Sequence, residues 1–118
     1  MGAVNISEDS SSAPGDSGAI PVLLLGYHRP DHTLRALQAV SRYSPRRLYV
    51  ACDGPNPRIP SDEEKVEKVR EILASPQWPT KLHTRFLPTN EGSASAVEGA
   101  IDWFFKTESM GIILEDDC

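Results

Sequence analysis

The sequence predicts an α/β fold in which a parallel sheet lies between layers of helices. Four short apolar runs alternate with three longer segments whose apolar residues recur at helical spacing, in the order β-α-β-α-β-α-β. The first and last runs are apolar at every position, as buried strands of a parallel sheet are. Strands that alternate with helices are joined by right-handed crossovers, which place helices on both faces of the sheet.

The first strand and the first helix are separated by a short loop. The predicted strand 22–25 is closed by Gly26, and Asp31 suits the N-cap of the helix that follows. This helix should end before Pro45, because a residue that precedes proline avoids the helical region. The apolar residues of its buried face are Leu34, Leu37 and Val40.

The second strand and helix are bounded by strong turn and capping signals. The strand 48–51 is followed by the turn Asp53-Gly54-Pro55. Ser61 and Glu64 fit a capping box, in which the serine bonds forward and the glutamate bonds back. The helix that they open should stop before Pro76. Its buried face carries Val66, Val69, Ile72 and Leu73.

The third strand differs from the others in its pattern. Residues 82–87 alternate apolar and polar side chains, as in a half-covered strand near a sheet edge. Ser93 or Ser95 is predicted to cap the third helix, and 112–114 is the last strand. The predicted buried face of the third helix is Ala94, Val97, Ile101, Phe104 and Phe105.

Composition predicts one domain and argues against several classes of partner. In this chain of 118 residues we predict a disordered segment, 1–19, followed by a domain over 20–118. A net charge of −5 argues against a nucleic-acid partner, which would need a basic face. No apolar run approaches a membrane span, and the first twenty residues carry no secretory signal. Cys52 and Cys118 form no CxxC or Cys/His cluster, so we do not expect a zinc site. We expect both cysteines to be free thiols and the protein to be cytoplasmic.

Three consecutive carboxylates, Glu115, Asp116 and Asp117, directly follow the last predicted strand. They can be a solvated acidic tail, since acidic runs are common at chain ends. We favour a metal site, because ligands bind beyond the carboxyl ends of parallel strands and oxygen-only donors suit Mn²⁺ or Mg²⁺. Asp117 is the predicted direct ligand and Asp116 the second candidate. Glu115 or Asp116 would hold ribose hydroxyls or orient a metal-bound water.

Other polar residues follow the first two strands and should face the same edge of the sheet. Arg29 suits a phosphate clamp, and Tyr27 or His28 can pack on a base, although Arg29 also fits a cap on a helix surface and His28 a solvated position. Asp53 is placed to accept a hydrogen bond from the N–H of a uracil ring, although Asp is also a common turn residue.

The segment before the third helix is a further candidate. Backbone N–H groups at a helix start attract phosphate, which makes Asn90 and Gly92 predicted binding residues, although the segment also fits a simple turn and cap. Gly26 stands alone, so neither a dinucleotide-binding fingerprint nor a P-loop is present. No Ser/His/Asp or Cys/His arrangement is apparent, and no catalytic residue is predicted.

Taken together and in order, these segments resemble the nucleotide-binding half of a GT-A-type, nucleotide-sugar-dependent glycosyltransferase. The resemblance covers about residues 20–118. Its closing segment looks like the Glu-Asp-Asp form of the Asp-x-Asp (DXD) motif of N-acetylglucosaminyltransferase-like and family-2-like enzymes. The segments are 21–23, Tyr27-His28-Arg29-Pro30, Cys52-Asp53-Gly54-Pro55, Asn90-Glu91-Gly92, 100–105 and 113–117.

The resemblance implies a Rossmann-like, three-layer αβα fold with strand order 3-2-1-4. It also implies that Asp117 coordinates Mn²⁺ on the diphosphate of a nucleotide sugar, a UDP-sugar being favoured. Glu115 and Asp116 would contact the ribose or the sugar, while Asp53 and the loop 27–29 would hold the base and its ribose. The metal would stabilise charge on the leaving diphosphate while an acceptor hydroxyl attacks the sugar.

Such enzymes carry the acceptor site and any catalytic base beyond the Asp-x-Asp strand. The chain ends there, so we expect the remaining half of the enzyme to be missing, the acceptor to be undefined and transfer by this chain alone to be absent. One alternative is a receiver-like, non-enzymatic signalling domain with an acidic Mg²⁺-binding edge, whose acidic pair would follow the first strand. The other is a nucleotidyltransferase, whose basic, Gly-rich loop is not found after Gly26.

Overall fold

The predicted order of strands and helices is confirmed. A computed structural model of the chain describes residues 2–3 and 18–116. From the second strand to the last, each element has the predicted type. The strands are β1 (Gly2–Ala3), β2 (Val22–Gly26), β3 (Arg47–Cys52), β4 (Lys81–Phe86) and β5 (Ile112–Glu115), and the helices are α1 (Pro30–Tyr43), α2 (Asp62–Leu73) and α3 (Ser93–Thr107).

The strands form one sheet in the order β1-β5-β2-β3-β4. β2, β3, β4 and β5 are mutually parallel, and counted from β2 their order is the predicted 3-2-1-4. Leu25 of β2 is in register with Ala51 of β3 on one side and with Glu115 of β5 on the other. The short strand β1 pairs antiparallel with β5 and is not predicted by the sequence. The predicted disorder of 1–19 falls mostly outside the described residues.

The core consists of two apolar layers, one on each face of the sheet. Alternate residues of a strand point to opposite faces, so Leu24 and Val50 pack under α1 and α2, whereas Leu23 and Ala51 pack under α3. Complete burial of a leucine such as Leu23 or Leu24 contributes about 1.5–3 kcal/mol. The three-layer αβα arrangement is therefore as predicted, with two helices on one face and one on the other.

Some residues predicted for the buried faces of α1 and α3 are exposed. Leu34 is 45% exposed and Phe105 is 44% exposed, and Ala94 also lies on the surface. The buried residues of α1 follow the spacing i, i+3, i+4, i+7 and begin at Thr33, so Leu34 lies beside the stripe. In α3, Phe104 occupies the core position and Phe105 packs edge-to-face against it with centroids 5.0 Å apart.

The starts of α1 and α3 differ from the prediction by one to three residues. Arg29 is the N-cap of α1 and Pro30 is its first residue, a position that suits proline because no N–H is needed there. Asp31 consequently lies within the first turn and not at the N-cap. Gly92 is the N-cap of α3, and neither predicted serine caps that helix with its side chain.

The predicted capping box of α2 is wrong. Ser61 has φ +67° and makes no side-chain capping hydrogen bond. In this left-handed conformation its hydroxyl does not reach the N–H groups of the first turn. The next residue, Asp62, is buried and bonds to the loops that precede the helix.

The helices of the described part are short. The longest is α3, with 15 residues, and no helix among the described residues is long and apolar enough to cross a membrane.

Candidate functional site

A pocket of about 300 Å³ opens at the carboxyl ends of the parallel strands. It lies over the point where β2 has β3 on one side and β5 on the other. The first turns of α3 close one wall of it. Open α/β sheets bind ligands at this switch point. The polar side chains of its lining include Tyr27, Asp53, Arg85, Ser93, Glu115 and Asp116.

The structure brings together only part of the predicted set of binding residues. Tyr27, Asp53, Glu115 and Asp116 line the pocket. His28, Arg29, Asn90 and Gly92 do not line it. The predicted metal ligand Asp117 lies outside the described residues.

Asp53 joins the end of β3 to the segment that leads into α3. Its carboxylate is 7% exposed and accepts hydrogen bonds from the backbone N–H groups of Gly54 (2.8 Å), Glu91 (2.8 Å) and Gly92 (3.0 Å). The Asn90 side-chain amide lies 3.3 Å from the same carboxylate. A carboxylate has about four acceptor positions, and these donors use them. Asp53 therefore organises this wall of the pocket, and recognition of a base by it stays a prediction.

The loop across the Asp53 carboxylate depends on two glycines. Gly54 lies so close to the backbone of Thr89 that a Cβ atom at position 54 would be 2.3 Å from the Thr89 carbonyl carbon. Gly92 has φ +91° and ψ 147°, a conformation that residues with a side chain rarely adopt. Asn90 completes the junction by donating to the Gly54 carbonyl at 2.8 Å.

A second polar cluster lies behind the pocket, where Tyr27 and His28 meet α2. The Tyr27 hydroxyl donates to Asp62 Oδ2 at 3.0 Å and accepts from Asn90 Nδ2 at 3.1 Å. The His28 ring stacks on the Tyr27 ring with centroids 4.2 Å apart, and its Nδ1 lies 3.0 Å from Asp62 Oδ1. The Asn56 N–H donates to Asp62 at 2.8 Å. These bonds hold Tyr27 and His28 as one aromatic pair.

The protonation states of this cluster follow from burial and from the hydrogen bonds. Burial opposes ionisation of Asp62, but the bonds from Asn56, Tyr27 and His28 outweigh it and lower the pKa of Asp62. An ionised carboxylate only accepts, so His28 carries its proton on Nδ1. Burial, reinforced by the bond to Asp62, raises the pKa of Tyr27 to about 12, and the hydroxyl stays a donor.

The two described carboxylates at the end of β5 differ in their surroundings. Glu115 is exposed, whereas Asp116 is 9% exposed and accepts a hydrogen bond from the Thr33 hydroxyl of α1 at 2.5 Å. The Asp116 N–H donates to the Leu25 carbonyl at 3.0 Å, which continues the β2–β5 pairing past the strand end. Both residues line the pocket although they are adjacent in the chain.

Oxygen donors of this kind fit a hard divalent cation. Among the described residues, no group of three His, Cys, Asp or Glu side chains is arranged to hold a metal. Mg²⁺ and Mn²⁺ need only one or two protein carboxylates, because phosphate oxygens and water complete their shell. Glu115 and Asp116 are the described carboxylate residues that follow or end β5 and line the pocket.

Two arginines at this edge of the sheet are not among the predicted site residues. Arg70 of α2 donates to the carbonyls of Leu87 (2.5 Å) and Asp53 (3.1 Å) and thereby ties the ends of β3 and β4 together. Arg85 of β4 lines the pocket, and its Nε atom is buried without a hydrogen-bond partner. The signal for Arg85 is its position as the last basic residue of an alternating edge strand.

Arg29 and Cys52 bear less directly on the pocket. Arg29 is exposed, and its carbonyl accepts from the Thr33 N–H at 2.9 Å at the start of α1. Cys52 lines the pocket, and burial raises the pKa of its thiol to about 11, so the thiol stays protonated at neutral pH. Cys52 is free, as predicted, while Cys118 lies outside the described residues.

Comparison of the chain with protein-family models, with curated proteins and with solved structures finds no significant match. Function must therefore be inferred from the site itself. The site combines carboxylate residues, a guanidinium group and the aromatic residue Tyr27 at the ligand-binding edge of a parallel sheet. Such a set can hold a cation and an anionic, aromatic ligand together.

Proposed function

We propose that this chain is the donor-binding half of a metal-dependent GT-A-type glycosyltransferase and binds a nucleotide-diphosphate sugar, with a UDP-sugar as the favoured ligand. One observation carries the proposal: Glu115 and Asp116 line a pocket at the switch point between β2 and β5. In a parallel sheet this is the position at which a nucleotide binds. The sequence resemblance to such enzymes supports the same ligand.

The proposed metal is Mn²⁺ or Mg²⁺, held by Asp117 with Asp116. When bound, it would stabilise the negative charge that develops on the leaving diphosphate. Glu115 would contact the ribose or a metal-bound water, since it is exposed at the mouth of the pocket. The Thr33 hydroxyl orients the Asp116 carboxylate from α1.

The base and ribose are assigned to the side of the pocket formed by Tyr27, whose ring is fixed by Asp62 and by stacking on His28. Tyr27 lines the pocket, and its ring would pack against the nucleobase. Asp53 holds the segment 90–92 in place, and Asn90 and Gly92 act through that segment. No described residue is assigned as a catalytic base.

Two competing functions are less well supported by the geometry. A receiver-like domain would phosphorylate an accessible aspartate, whereas the Asp53 carboxylate is 7% exposed and used by hydrogen bonds within the chain. A nucleotidyltransferase would present a Gly-rich basic loop after β2, whereas residues after Gly26 form the Tyr27–His28 pair.

Isothermal titration of the full chain with UDP tests the proposal. With Mn²⁺ present we expect weak binding that EDTA removes, and Asp117→Ala should lower the affinity by about tenfold or more, because it removes the direct ligand. Asp102→Ala, an exposed carboxylate near the middle of α3, is the matched control and should bind as the wild type does. Binding that does not depend on metal, or no binding of any nucleotide, would contradict the proposal.

A further inference from the structure

Arg85 occupies an unusual position for an arginine. It lies near the end of the edge strand β4, in register with Ala51 of β3, and its side chain lines the pocket on the α3 face of the sheet. Glu115 and Asp116 line the same pocket from β5. β4 and β5 are three strand spacings apart, roughly 14 Å. The guanidinium group of Arg85 and the two carboxylate residues therefore lie on opposite sides of the pocket.

The guanidinium group of Arg85 has no partner in the described part of the chain. It forms no hydrogen bond or ion pair with any described residue, and its Nε atom is buried. The Nε atom of Arg70 is also buried without a partner, but Arg70 Nη2 donates to two carbonyls, and Arg47 donates two hydrogen bonds to Glu108. Arg85 differs because none of its donors has a partner among the described residues. The buried Nε–H of Arg85 lacks an acceptor among the described residues, and an unsatisfied buried donor costs free energy unless a ligand provides the acceptor.

Gly99 makes room for this guanidinium. It lies inside α3, and a Cβ atom at position 99 would be 2.7 Å from Arg85 Nη2. Glycine in a helix interior makes the helix less stable than alanine does. At position 99 the missing side chain leaves space for the Arg85 guanidinium group. The space at Gly99 and the unpaired Nε–H are two separate observations, and both concern the guanidinium group of Arg85.

We infer that Arg85 is the anion-binding residue of the pocket and donates to a phosphate group of the ligand. A planar guanidinium matches the oxygens of a phosphate and binds them in a bidentate manner. The anion would then lie between the carboxylate residues that follow β5 and the guanidinium group that β4 carries. The inference deepens the proposed function, on which the identity of the complete ligand rests.

Isothermal titration of the full chain with UDP, pyrophosphate and uridine, each in the presence of Mn²⁺, tests the role of Arg85. Arg85→Gln should weaken the binding of UDP and of pyrophosphate by about tenfold or more, because a charge-assisted hydrogen bond is lost. Binding of uridine should be unchanged. Arg42→Gln removes the same charge from an exposed site in the last turn of α1 and should leave all three affinities unchanged.

Gly99→Ala is the second variant, because it displaces the guanidinium while retaining the arginine and a sound helix. It should weaken the binding of UDP and of pyrophosphate, as Arg85→Gln does, and it still tests the role of Arg85 if Arg85→Gln fails to fold.

If neither variant weakens the binding of pyrophosphate, or if the binding of uridine is weakened equally, the role of Arg85 is overturned while the proposed function stands. If pyrophosphate binding depends on Arg85 but UDP binds no more tightly than pyrophosphate, the anion site stands and the proposed function fails. If the wild type binds neither anion, both are overturned.

Discussion

The Asp53 carboxylate accepts a hydrogen bond from the Gly92 N–H at 3.0 Å, and this bond joins the end of β3 to the N-cap of α3 across 39 residues of sequence. The contact holds the start of α3, which lines one side of the pocket, against the end of β3. Because Asp53 also accepts from the Glu91 N–H at 2.8 Å, the two N–H groups before α3 share one carboxylate. The shape of the pocket therefore depends on the Asp53 carboxylate, whether or not that carboxylate contacts the ligand.

Asp53→Asn should destabilise the fold. The asparagine amide keeps one acceptor oxygen but turns an NH₂ group towards N–H donors, so at least one buried donor loses its partner. We expect a loss of about 1–3 kcal/mol in the free energy of unfolding, measured by urea denaturation. Asp102→Asn, at an exposed position in α3, is the matched control and should lie close to the wild type. Equal stability of the two variants would show that the Asp53 bonds contribute nothing.

Gly92→Ala should also destabilise the fold, although no atom lies within 4 Å of the added Cβ. The cost comes from the backbone, because φ +91° is a strained value for alanine, and we expect about 1–3 kcal/mol. Gly99→Ala adds the same methyl group inside a helix and should leave stability unchanged or raise it by up to about 1 kcal/mol. Thermal unfolding of both variants measures the difference, and similar melting temperatures would contradict the prediction.

The arrangement of strands and helices was predictable because its signals are local. The apolar run of β2 and the alternation of β4 each show in a few consecutive residues. The strand order came from the resemblance and not from periodicity. Helix starts were less predictable, since Ser61 looks like a cap in the sequence but has a positive φ. That angle depends on the preceding loop.

The site was predictable only where a strand end carries the residue. Tyr27, Asp53, Glu115 and Asp116 follow or end strands, and they line the pocket, while their role in binding stays a prediction. Asp62 was not predicted, because its partners Tyr27 and His28 lie 35 and 34 residues away. Thr33, Arg85 and Gly99 were missed for the same reason: each acquires its role from a neighbour in another element.

Glu108 should make stability depend on pH in the acid range. Burial favours its neutral form, but bonds from Arg47 (2.7 Å) and Tyr49 (2.7 Å) outweigh burial and hold the pKa of Glu108 below its ordinary value of 4.5. The folded state thus binds fewer protons than the unfolded state near this pH. The stabilisation is complete well above pH 4.5 and is lost as the pH falls through the lowered pKa of the folded protein.

Glu108→Gln should therefore flatten the acid part of the stability curve, measured by urea unfolding at a series of pH values. At neutral pH the variant should be less stable by about 1–3 kcal/mol, because the bond from Arg47 is no longer charge-assisted on both sides. Glu98→Gln, an exposed residue of α3, should retain the wild-type slope. If the free energy of unfolding of Glu108→Gln falls as steeply with decreasing pH as that of the wild type, other carboxylates cause the pH dependence.

Tyr27 should make stability depend on pH in the alkaline range, with the opposite sign. Burial, followed by the hydrogen bond to Asp62, raises its pKa from 10.0 to about 12. The unfolded state loses its proton first, so the contribution of Tyr27 is fully present below about pH 10 and disappears as the pH rises towards 12. Tyr49 has a pKa raised to about 12 for the same main reason and contributes in the same window.

Tyr27→Phe should lower stability at neutral pH by about 0.5–1.5 kcal/mol, the usual contribution of a hydrogen bond, and reduce the alkaline loss without abolishing it, because Tyr49 remains. The measurement is the free energy of unfolding at a series of pH values from neutral to alkaline. Tyr43→Phe leaves Tyr27 and Tyr49 in place and removes the hydroxyl that accepts from the Ile20 N–H at 2.8 Å. It should lower stability while retaining the wild-type alkaline slope. If Tyr27→Phe and the wild type lose stability in parallel above pH 10, the Tyr27 hydroxyl is not held by Asp62 in solution.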